Sequence, residues 1–447
     1  MRISVIGCGY LGAVHAAAMT SIGHEAIGID VDEGRIRLLS GGEAPFFEPG
    51  LEDLLQAGLA SGRLRFSTDM RDAADAAVHF IAVGTPQQRD GQGADLEHLD
   101  RAVEQLCGVV KPGDLVVGKS TVPVGTAADL ADRLAPLGVT VVWNPEFLRE
   151  GWAVKDTVSP DRIVVGVPVS SGEEISRGAP TADGLRAADV LREVYAPAIE
   201  GGTPFLVTDY ATAELVKVAA NAFLATKVSF INAMAEIAEI TGADVTRLAD
   251  ALGHDERIGR RFLGAGIGFG GGCLPKDIRA FVARAEELGR GSALSFLREV
   301  DAINLRRRER AVSLAVRACG GSVYERRVAV LGAAFKPHSD DVRDSPALDV
   351  ASRLRGLGAR VTVTDPAAID NARRTHPQLD YETDLDSTLN DADVVVVVTE
   401  WDEYRRGLSP EHAASLVSAR AVVDGRNCLD AAAWRAAGWK YYGMGRP

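Results

Sequence analysis

The chain has 447 residues, of which 46% are hydrophobic and 25% charged. Chains of this length usually fold as two or three domains, and the composition is that of a globular protein rather than a disordered one. The 49 Lys and Arg residues against 62 Asp and Glu residues give a formal charge of −13 without a basic tract. This balance argues against a nucleic-acid partner, because phosphate backbones select basic surfaces.

The densest apolar run, residues 394–398, has the length of a strand and falls far short of the roughly 20 residues that a membrane helix needs. Residues 1–6 read as a first strand and not as a signal peptide, so we expect a cytoplasmic protein with no membrane contact. The five cysteines are odd in number and widely spaced, which predicts neither a disulfide framework nor a metal site. At least one of them is therefore available as a reactive thiol.

Strand-like apolar runs alternate with helix-length segments through the first 200 residues, which predicts βαβ units and a mostly parallel sheet. The predicted strands are 3–6, 25–29, 78–83, 115–117, 139–143 and 163–165. From Thr208 and Asp209, both good N-cap residues, one long Ala-rich helix runs to Ile240 and is ended by Thr241 and Gly242.

Further helical segments reach about residue 317 and are interrupted by a glycine-rich stretch at 264–272. Beyond the turn signal at 320–321, strand-like runs resume at 328–331, 361–364, 394–398 and 421–423, which predicts a second, smaller α/β domain. We therefore expect an α/β protein with two Rossmann-like doubly wound domains, 1–200 and 319–447, joined by the long helix and a small helical domain, 201–318.

A glycine motif follows the first strand directly. Gly7 suits the tight turn, Gly9 lets the backbone approach a pyrophosphate, and Gly12 lets the following helix pack closely, with its N-terminus facing the anion. Asp30 ends the second strand, where a carboxylate accepts hydrogen bonds from the adenosine ribose and repels a 2′-phosphate. The pattern predicts NAD rather than NADP; FAD uses a similar motif, so the motif by itself indicates a class of cofactor.

Cys273 lies at the end of the glycine-rich stretch. Pro275 favours the first position of a helix, so the thiol is expected just before a helix N-terminus, with Lys276 nearby. Both features favour the thiolate, which is the nucleophilic form. On the long helix, Lys217 and Asn221 are four residues apart and share a face, where a cation and an amide suit an oxygen that becomes negative.

Two polar residues follow neighbouring strands at the carboxyl edge of the first sheet, where open α/β folds bind ligands. Glu146 is a candidate base or acid, and Thr121 follows the preceding strand. An NAD site with a nucleophilic cysteine suggests oxidation to an acid through a thioester that water cleaves. A two-electron hydroxyacid dehydrogenase, which would give Cys273 no role, and a non-catalytic regulator that binds NAD or a nucleotide sugar are the alternatives.

Taken together, the segments 119–126, 144–150, 217–221, 268–277 and 334–346 resemble the UDP-glucose/GDP-mannose dehydrogenase family, in the same order and over essentially the whole chain. The resemblance implies a four-electron oxidation in which a sugar C6 alcohol becomes an acid while two NAD molecules are reduced. Residues 257–262 resemble the members that oxidise UDP-glucose to UDP-glucuronate more than those that act on GDP-mannose or an N-acetylmannosamine. GDP-mannose or another UDP-hexose remains the alternative substrate.

By position, the resemblance makes Cys273 the nucleophile that forms a thiohemiacetal and then a thioester, while Lys217 and its neighbour on the helix stabilise oxyanions. Asp277 would assist a water molecule and position Lys217, and Glu146 with Thr121 would handle proton transfer and hydrolysis. The implied NAD contacts are Gly7, Gly9, Leu11, Gly12, Asp30, Arg35, Thr85, Thr121, Glu150, Lys276 and Arg343.

The nucleotide sugar forms a second set of implied contacts, and the second Rossmann-like domain would hold its UDP part. These contacts are Glu146, Phe147, Leu148, Arg149, Glu150, Lys217, Asn221, Arg257, Phe262, Leu263, Gly264, Ala265, Gly266, Gly270 and Lys336. No metal is expected. We also expect a homodimer built around the long helix 209–240, since so long and apolar a helix needs more cover than one small domain supplies.

Overall fold

A computed structural model of the chain describes residues 1–170 and 178–447. The described residues form two compact units, Met1–Ala220 and Asn221–Pro447, each with its own sheet of mostly or wholly parallel strands.

The first unit is built on eight strands within the described residues. They are β1 Arg2–Ile6, β2 Glu25–Ile29, β3 Leu64–Ser67, β4 Val78–Ile81, β5 Leu115–Gly118, β6 Thr140–Trp143, β7 Ile163–Val167 and β8 Phe205–Asp209. The helices between them are α1 Tyr10–Ser21, α2 Glu33–Ser40, α3 Leu51–Ala60, α4 Glu97–Leu106, α5 Thr126–Leu134, α6 Ala153–Val158, α7 Ala182–Val194 and α8 Ala196–Glu200.

The first sheet has the strand order β3-β2-β1-β4-β5-β6-β7-β8 and is parallel except between β6 and β7. The prediction of a mostly parallel sheet is therefore confirmed. Central strands buried on both faces explain the continuous apolar runs in the sequence: Val5, Phe80, Val117 and Val142 are fully buried. The order reverses between β1 and β4, the point where such sheets bind their ligands at the carboxyl ends of the strands.

The long helix α9, Tyr210–Thr241, agrees with the predicted helix. Asp209 caps it, since its Oδ1 accepts a hydrogen bond from the Thr212 N–H at 2.8 Å. Among the described residues, α9 is the one helix whose length and composition alone would suit a membrane span, with a mean hydropathy of 1.3 in its most apolar window. Core helices pass the same test, and Ser229 and Asn232 on α9 are fully buried and hydrogen-bonded to Val300 and Gly266.

The second unit continues with helices and a smaller sheet. Its helices are α10 Val245–Gly253, α11 Leu274–Glu287, α12 Ser295–Ala318, α13 Pro346–Gly356, α14 Ile369–Thr375, α15 Leu385–Leu389, α16 Pro410–Leu416 and α17 Ala431–Ala436. Its strands are β9 Arg327–Leu331, β10 Arg360–Thr364, β11 Asp380–Tyr381, β12 Val394–Val397, β13 Ala421–Asp424 and β14 Lys440–Gly443.

The second sheet repeats the topology of the first six strands of the first sheet. Its order, β11-β10-β9-β12-β13-β14, reverses between its own first and fourth strands, and every pairing in this described sheet is parallel. Both sheets therefore have the doubly wound order of Rossmann-like folds, as the sequence predicts.

Candidate active site

The glycine motif after β1 has the geometry of a dinucleotide cradle. Gly7 adopts a left-handed φ of +89°, and its N–H donates to the carbonyl of Ile29 at 2.8 Å. A Cβ on Gly12 would collide with the Gly7 carbonyl oxygen, whereas a Cβ on Gly9 would meet no atom within 4 Å. The turn and the helix therefore pack closely, while space remains beside Gly9 where the motif would receive a pyrophosphate.

Asp30 supplies the carboxylate at the end of β2. It is 8% exposed, its Oδ2 accepts from the Cys8 N–H at 2.7 Å and from Arg35 Nη1 at 2.9 Å, and its Oδ1 accepts from the Asp32 N–H at 3.0 Å. A carboxylate has roughly four acceptor positions, so one remains for a ribose hydroxyl. Together with the glycine cradle, this arrangement fits NAD.

Thr121 lies in the loop after β5 and is joined to another predicted NAD contact. The Thr85 hydroxyl donates to the Thr121 carbonyl at 2.7 Å. The loop is also held from α9, since the buried Glu214 carboxylate accepts from the N–H groups of Gly125 and Ala127 at 2.8 and 2.6 Å. Glu214 fills the role of an N-cap for α5 from a distant element, which no local sequence pattern indicated.

Glu146 follows β6 and takes part in a buried polar network that the sequence did not predict. Its Oε1 accepts from the N–H groups of Phe147 and Leu148 at 2.7 and 2.9 Å, and its Oε2 lies 3.0 Å from the ammonium of Lys119. Lys119 follows β5, is 4% exposed, and also donates to Asn144 Oδ1 at 3.1 Å. The candidate base is therefore a carboxylate fixed from both oxygens.

Burial and charge act in opposite directions on Lys119. Burial alone lowers the pKa of its ammonium, but attraction to the Glu146 carboxylate and contact with Tyr195 outweigh burial, and the net pKa is raised. The Tyr195 hydroxyl lies 3.4 Å from the ammonium and donates to Asn144 at 2.8 Å, and its own pKa is raised chiefly by burial. At neutral pH the network thus holds a charged lysine beside a neutral phenol.

The residues after Glu146 belong to the predicted sugar-binding segment. Phe147 packs between two cations, with the Arg162 guanidinium 3.9 Å and the Lys217 ammonium 5.6 Å from its ring centre. Leu148 is half-buried and Glu150 is buried. Arg149 is held by Asp156, with an Nε to Oδ2 distance of 2.8 Å.

In the second unit, Cys273 occupies the N-cap position of α11, as predicted. Its side chain is exposed, whereas the other four cysteines are buried or half-buried. Its carbonyl accepts from the Asp277 N–H at 2.9 Å. Asp277 is 2% exposed and accepts from Lys276 Nζ and from Asn221 Nδ2, each at 2.7 Å. The structure thus brings Asn221, Lys276 and Asp277 together, one helical turn from Cys273.

The glycine-rich loop before Cys273 is fastened at several points within the second unit. Asn304 on α12 is fully buried; its amide accepts from the Phe269 N–H at 2.7 Å and donates to the Phe269 carbonyl at 2.9 Å. Arg426 donates to the Gly268 carbonyl at 2.7 Å, and Asn232 accepts from the Gly266 N–H at 2.9 Å. This loop is a supported part of the core, and sequence patterns did not indicate these supports.

The remaining predicted contacts are placed as follows. Phe262 is exposed with a left-handed φ of +64°, an unusual conformation for a bulky residue. Lys336 lies 5.1 Å from the ring centre of Phe335. Arg257 and Arg343 are exposed and paired with nearby aspartates. Leu11 lies on α1, and the segment between α10 and α11 contains Leu263, Gly264, Ala265 and Gly270.

The second sheet has a counterpart of the first unit's glycine and aspartate. Gly332 follows β9 with φ +120°, and Asp365 follows β10. Asp365 accepts from five donors, namely the N–H groups of four alanines at positions 333, 334, 367 and 368 at 2.8–3.0 Å and the Trp401 indole at 3.1 Å. The carboxylate is saturated, in contrast to Asp30.

Comparisons with known proteins agree with this geometry over the whole chain. Residues 1–197, 211–306 and 329–431 match the NAD binding domain, the central domain and the UDP binding domain of the UDP-glucose/GDP-mannose dehydrogenase family. A UDP-glucose 6-dehydrogenase of Rhizobium meliloti is 40% identical over 453 residues, with 100% of both chains covered.

Two solved structures are similar. A UDP-glucose dehydrogenase of Pyrobaculum islandicum superposes with a TM-score of 0.87 at 38% identity, covering 100% of this chain and 98% of that one. A UDP-D-ManNAc dehydrogenase of Pyrococcus horikoshii gives 0.84 at 27% identity, with 100% and 99% covered. The chain therefore belongs to the UDP-glucose/GDP-mannose dehydrogenase family and is an oxidoreductase that uses NAD.

Proposed function

We propose that the chain oxidises the C6 alcohol of UDP-glucose to the acid, giving UDP-glucuronate, with two NAD reduced per sugar. The observation that carries the proposal is the exposed Cys273 at the N-terminus of α11, because a two-electron dehydrogenase has no use for a nucleophile there. The names of full-length relatives at about 40% identity support UDP-glucose as the substrate.

The glycine cradle after β1 and Asp30 would hold NAD, which would supply the hydride acceptor for each of the two oxidations. The Cys273 thiolate adds to the C6 aldehyde and forms a thiohemiacetal, whose oxidation gives a thioester. Lys217 and Asn221 stabilise the negative oxygen, with the Asn221 amide oriented by its 2.7 Å hydrogen bond to Asp277. Glu146 with Thr121 handles proton transfer and the water that cleaves the thioester.

The alternative substrate is GDP-mannose or another UDP-hexose. The similar structure at 27% identity, a UDP-D-ManNAc dehydrogenase, is the observation that favours this alternative. Initial rates of NADH formation from UDP-glucose, UDP-galactose, GDP-mannose and UDP-N-acetylmannosamine decide between them. We expect the highest kcat/KM with UDP-glucose.

We also propose a homodimer that forms around α9. Phe223, Phe230 and Ile237 are 66%, 48% and 52% exposed and recur every seven residues, so they form one apolar stripe along the helix. A second copy would bury this stripe against its own. We further propose a cytoplasmic location and a division into the domains 1–200, 201–318 and 319–447. The boundaries of the three family matches, 1–197, 211–306 and 329–431, support this division.

The stoichiometry of NADH tests the reaction. We expect two NADH per UDP-glucose consumed, and one NADH per sugar would refute the four-electron oxidation. Cys273→Ser is expected to lose steady turnover while its affinity for NAD stays unchanged. Normal turnover by this variant would refute the nucleophile, and absence of turnover by the wild-type enzyme with every sugar in the panel would favour a binding protein.

A further inference from the structure

A lysine in the core of the first unit lies beside the candidate base. Lys119 is 4% exposed, and its ammonium lies 3.0 Å from Glu146 Oε2, 3.1 Å from Asn144 Oδ1 and 3.4 Å from the Tyr195 hydroxyl. An ammonium has three N–H donors, and three acceptors surround this one. Neither the motif that contains Lys119 nor the roles given above assign it a function.

The groups that face Lys119 come from several elements. Among these groups, Glu146 carries the negative charge that pairs with the Lys119 ammonium. Tyr195, after α7, donates its proton to Asn144 and is neutral. His15 on α1 is fully buried, and neither of its ring nitrogens has a hydrogen-bond partner among the described residues. Burial, together with repulsion from Lys119, lowers the pKa of His15 well below 6.5, so this ring is neutral as well.

A buried lysine destabilises the fold relative to a packed Met side chain of similar size, because removing an ammonium from water costs free energy. The lysine contributes what a Met cannot: an ammonium 3.0 Å from Glu146 Oε2, which fixes the second oxygen of that carboxylate. The first oxygen is already fixed by the backbone N–H groups of Phe147 and Leu148. The orientation of the Glu146 carboxylate therefore depends on Lys119 as well as on the backbone.

We propose that Lys119 is a positioning residue that holds the Glu146 carboxylate in the orientation of a base for the hydrolysis of the thioester. The inference rests on the proposed function. In this step the oxygen of a water molecule bonds to the acyl carbon while one water proton passes to Glu146. The carbon–sulfur bond then breaks, its electron pair leaves on the cysteine sulfur as thiolate, and the product is the carboxylic acid. No atom changes oxidation state, so the step needs no further reactant.

Lys119→Met removes the charge and keeps the length of the side chain. We expect kcat at pH 7 to fall by about 100-fold, the usual contribution of a general base, with KM for UDP-glucose and NAD unchanged. Intact-protein mass spectrometry during turnover should show a sugar adduct that accumulates on the variant.

Tyr195→Phe is the matched control, because it removes another buried neighbour of Lys119 and leaves the charge. It is expected to show no accumulation of the sugar adduct during turnover, although its melting temperature should fall. A Tyr195→Phe variant that accumulates the adduct as Lys119→Met does would overturn the proposal, since any disturbance of the core would then have the same effect.

A double-variant comparison decides the case even if Lys119→Met does not fold. Glu146→Gln and the pair Lys119→Met with Glu146→Gln should have equal residual activity, because a residue that acts through Glu146 has nothing to add once that base is gone. A clearly lower activity of the pair, at equal melting temperature, would overturn the proposal. Wild-type NADH stoichiometry, measured alongside, separates this outcome from failure of the proposed function.

Discussion

Replacing Asn304 by Ala tests whether the support of the glycine-rich loop matters to the reaction. Asn304 is fully buried and makes two hydrogen bonds to the backbone of Phe269. An orphaned buried donor or acceptor costs about 1–3 kcal/mol. The Phe269 carbonyl keeps a weaker bond from Arg308 at 3.4 Å, so the N–H is the main orphan.

These contributions place the loss in the free energy of unfolding at about 2–4 kcal/mol. For a unit of this size, each kcal/mol lost from the free energy of unfolding lowers the melting temperature by about 2–4 °C, so we expect the melting temperature to decrease by about 5–15 °C. Phe269 is four residues from Cys273, and a nucleophile displaced by about 1 Å loses about 100-fold in rate. The expected result is therefore a lower melting temperature together with a kcat lowered by about 10–100-fold.

The assay combines thermal melting with initial rates of NADH formation at saturating UDP-glucose and NAD. Ser229→Ala is the matched control, because it removes a buried hydrogen bond to the Val300 carbonyl, 2.7 Å long, that does not touch the loop. It should cost about 1 kcal/mol and leave kcat unchanged. Equal kcat for Asn304→Ala and wild type, at a temperature where both are folded, would refute the reasoning.

Three further predictions concern the cofactor, the pH dependence and assembly. Asp30→Ala should raise the Kd for NAD by about 10–100-fold, since a hydrogen bond to a charged acceptor contributes about 1.5–3 kcal/mol; fluorescence titration that shows unchanged affinity contradicts the role of the carboxylate. Burial lowers the pKa of His15 well below 6.5, so below pH 6.5 the unfolded chain takes up a proton that the folded unit excludes. The free energy of unfolding then falls by about 1.4 kcal/mol for each unit by which the pH is lowered. Urea unfolding at pH 7.5, 6.0 and 5.0 should show a shallower decrease for His15→Phe than for wild type, and equal slopes would contradict the role of His15. The double variant Phe223→Glu with Phe230→Glu should be a monomer in sedimentation equilibrium. The control Leu288→Glu, at another exposed apolar residue, should remain a dimer. A dimer of the double variant would exclude the proposed interface along α9.

The central strands could be predicted, and the edge strands could not. β12 is buried along its length and is an unbroken apolar run, and β1 and β4 are apolar apart from Arg2, Ser4 and His79. β3 and β8 are half-exposed, so neither is an apolar run in the sequence. β8 also continues into α9 without a turn residue, and its last two residues, Thr208 and Asp209, were therefore predicted as the N-cap of the helix. β11 has two residues, too few for any periodicity.

The candidate site divides in the same way. Asp30 and Glu146 could be predicted because they follow strands at the ligand-binding edge, and the position of Cys273 because Pro275 and the glycines mark a helix start. Their partners come from far along the chain: Tyr195 lies 76 residues from Lys119, and Asn304 lies 35 residues from Phe269. Such pairs leave no local pattern, so only the folded structure identifies them.

The saturated Asp365 has a consequence for protein engineering. Because its five donors exceed the roughly four acceptor positions of a carboxylate, this residue works as a fastener of the second sheet. A substitution at Asp365 should therefore appear in a melting curve, whereas the same substitution at Asp30 should appear in a cofactor titration. A designer who wanted Asp365 to accept a hydrogen bond from a ligand would begin by removing the indole of Trp401 and not by adding a carboxylate.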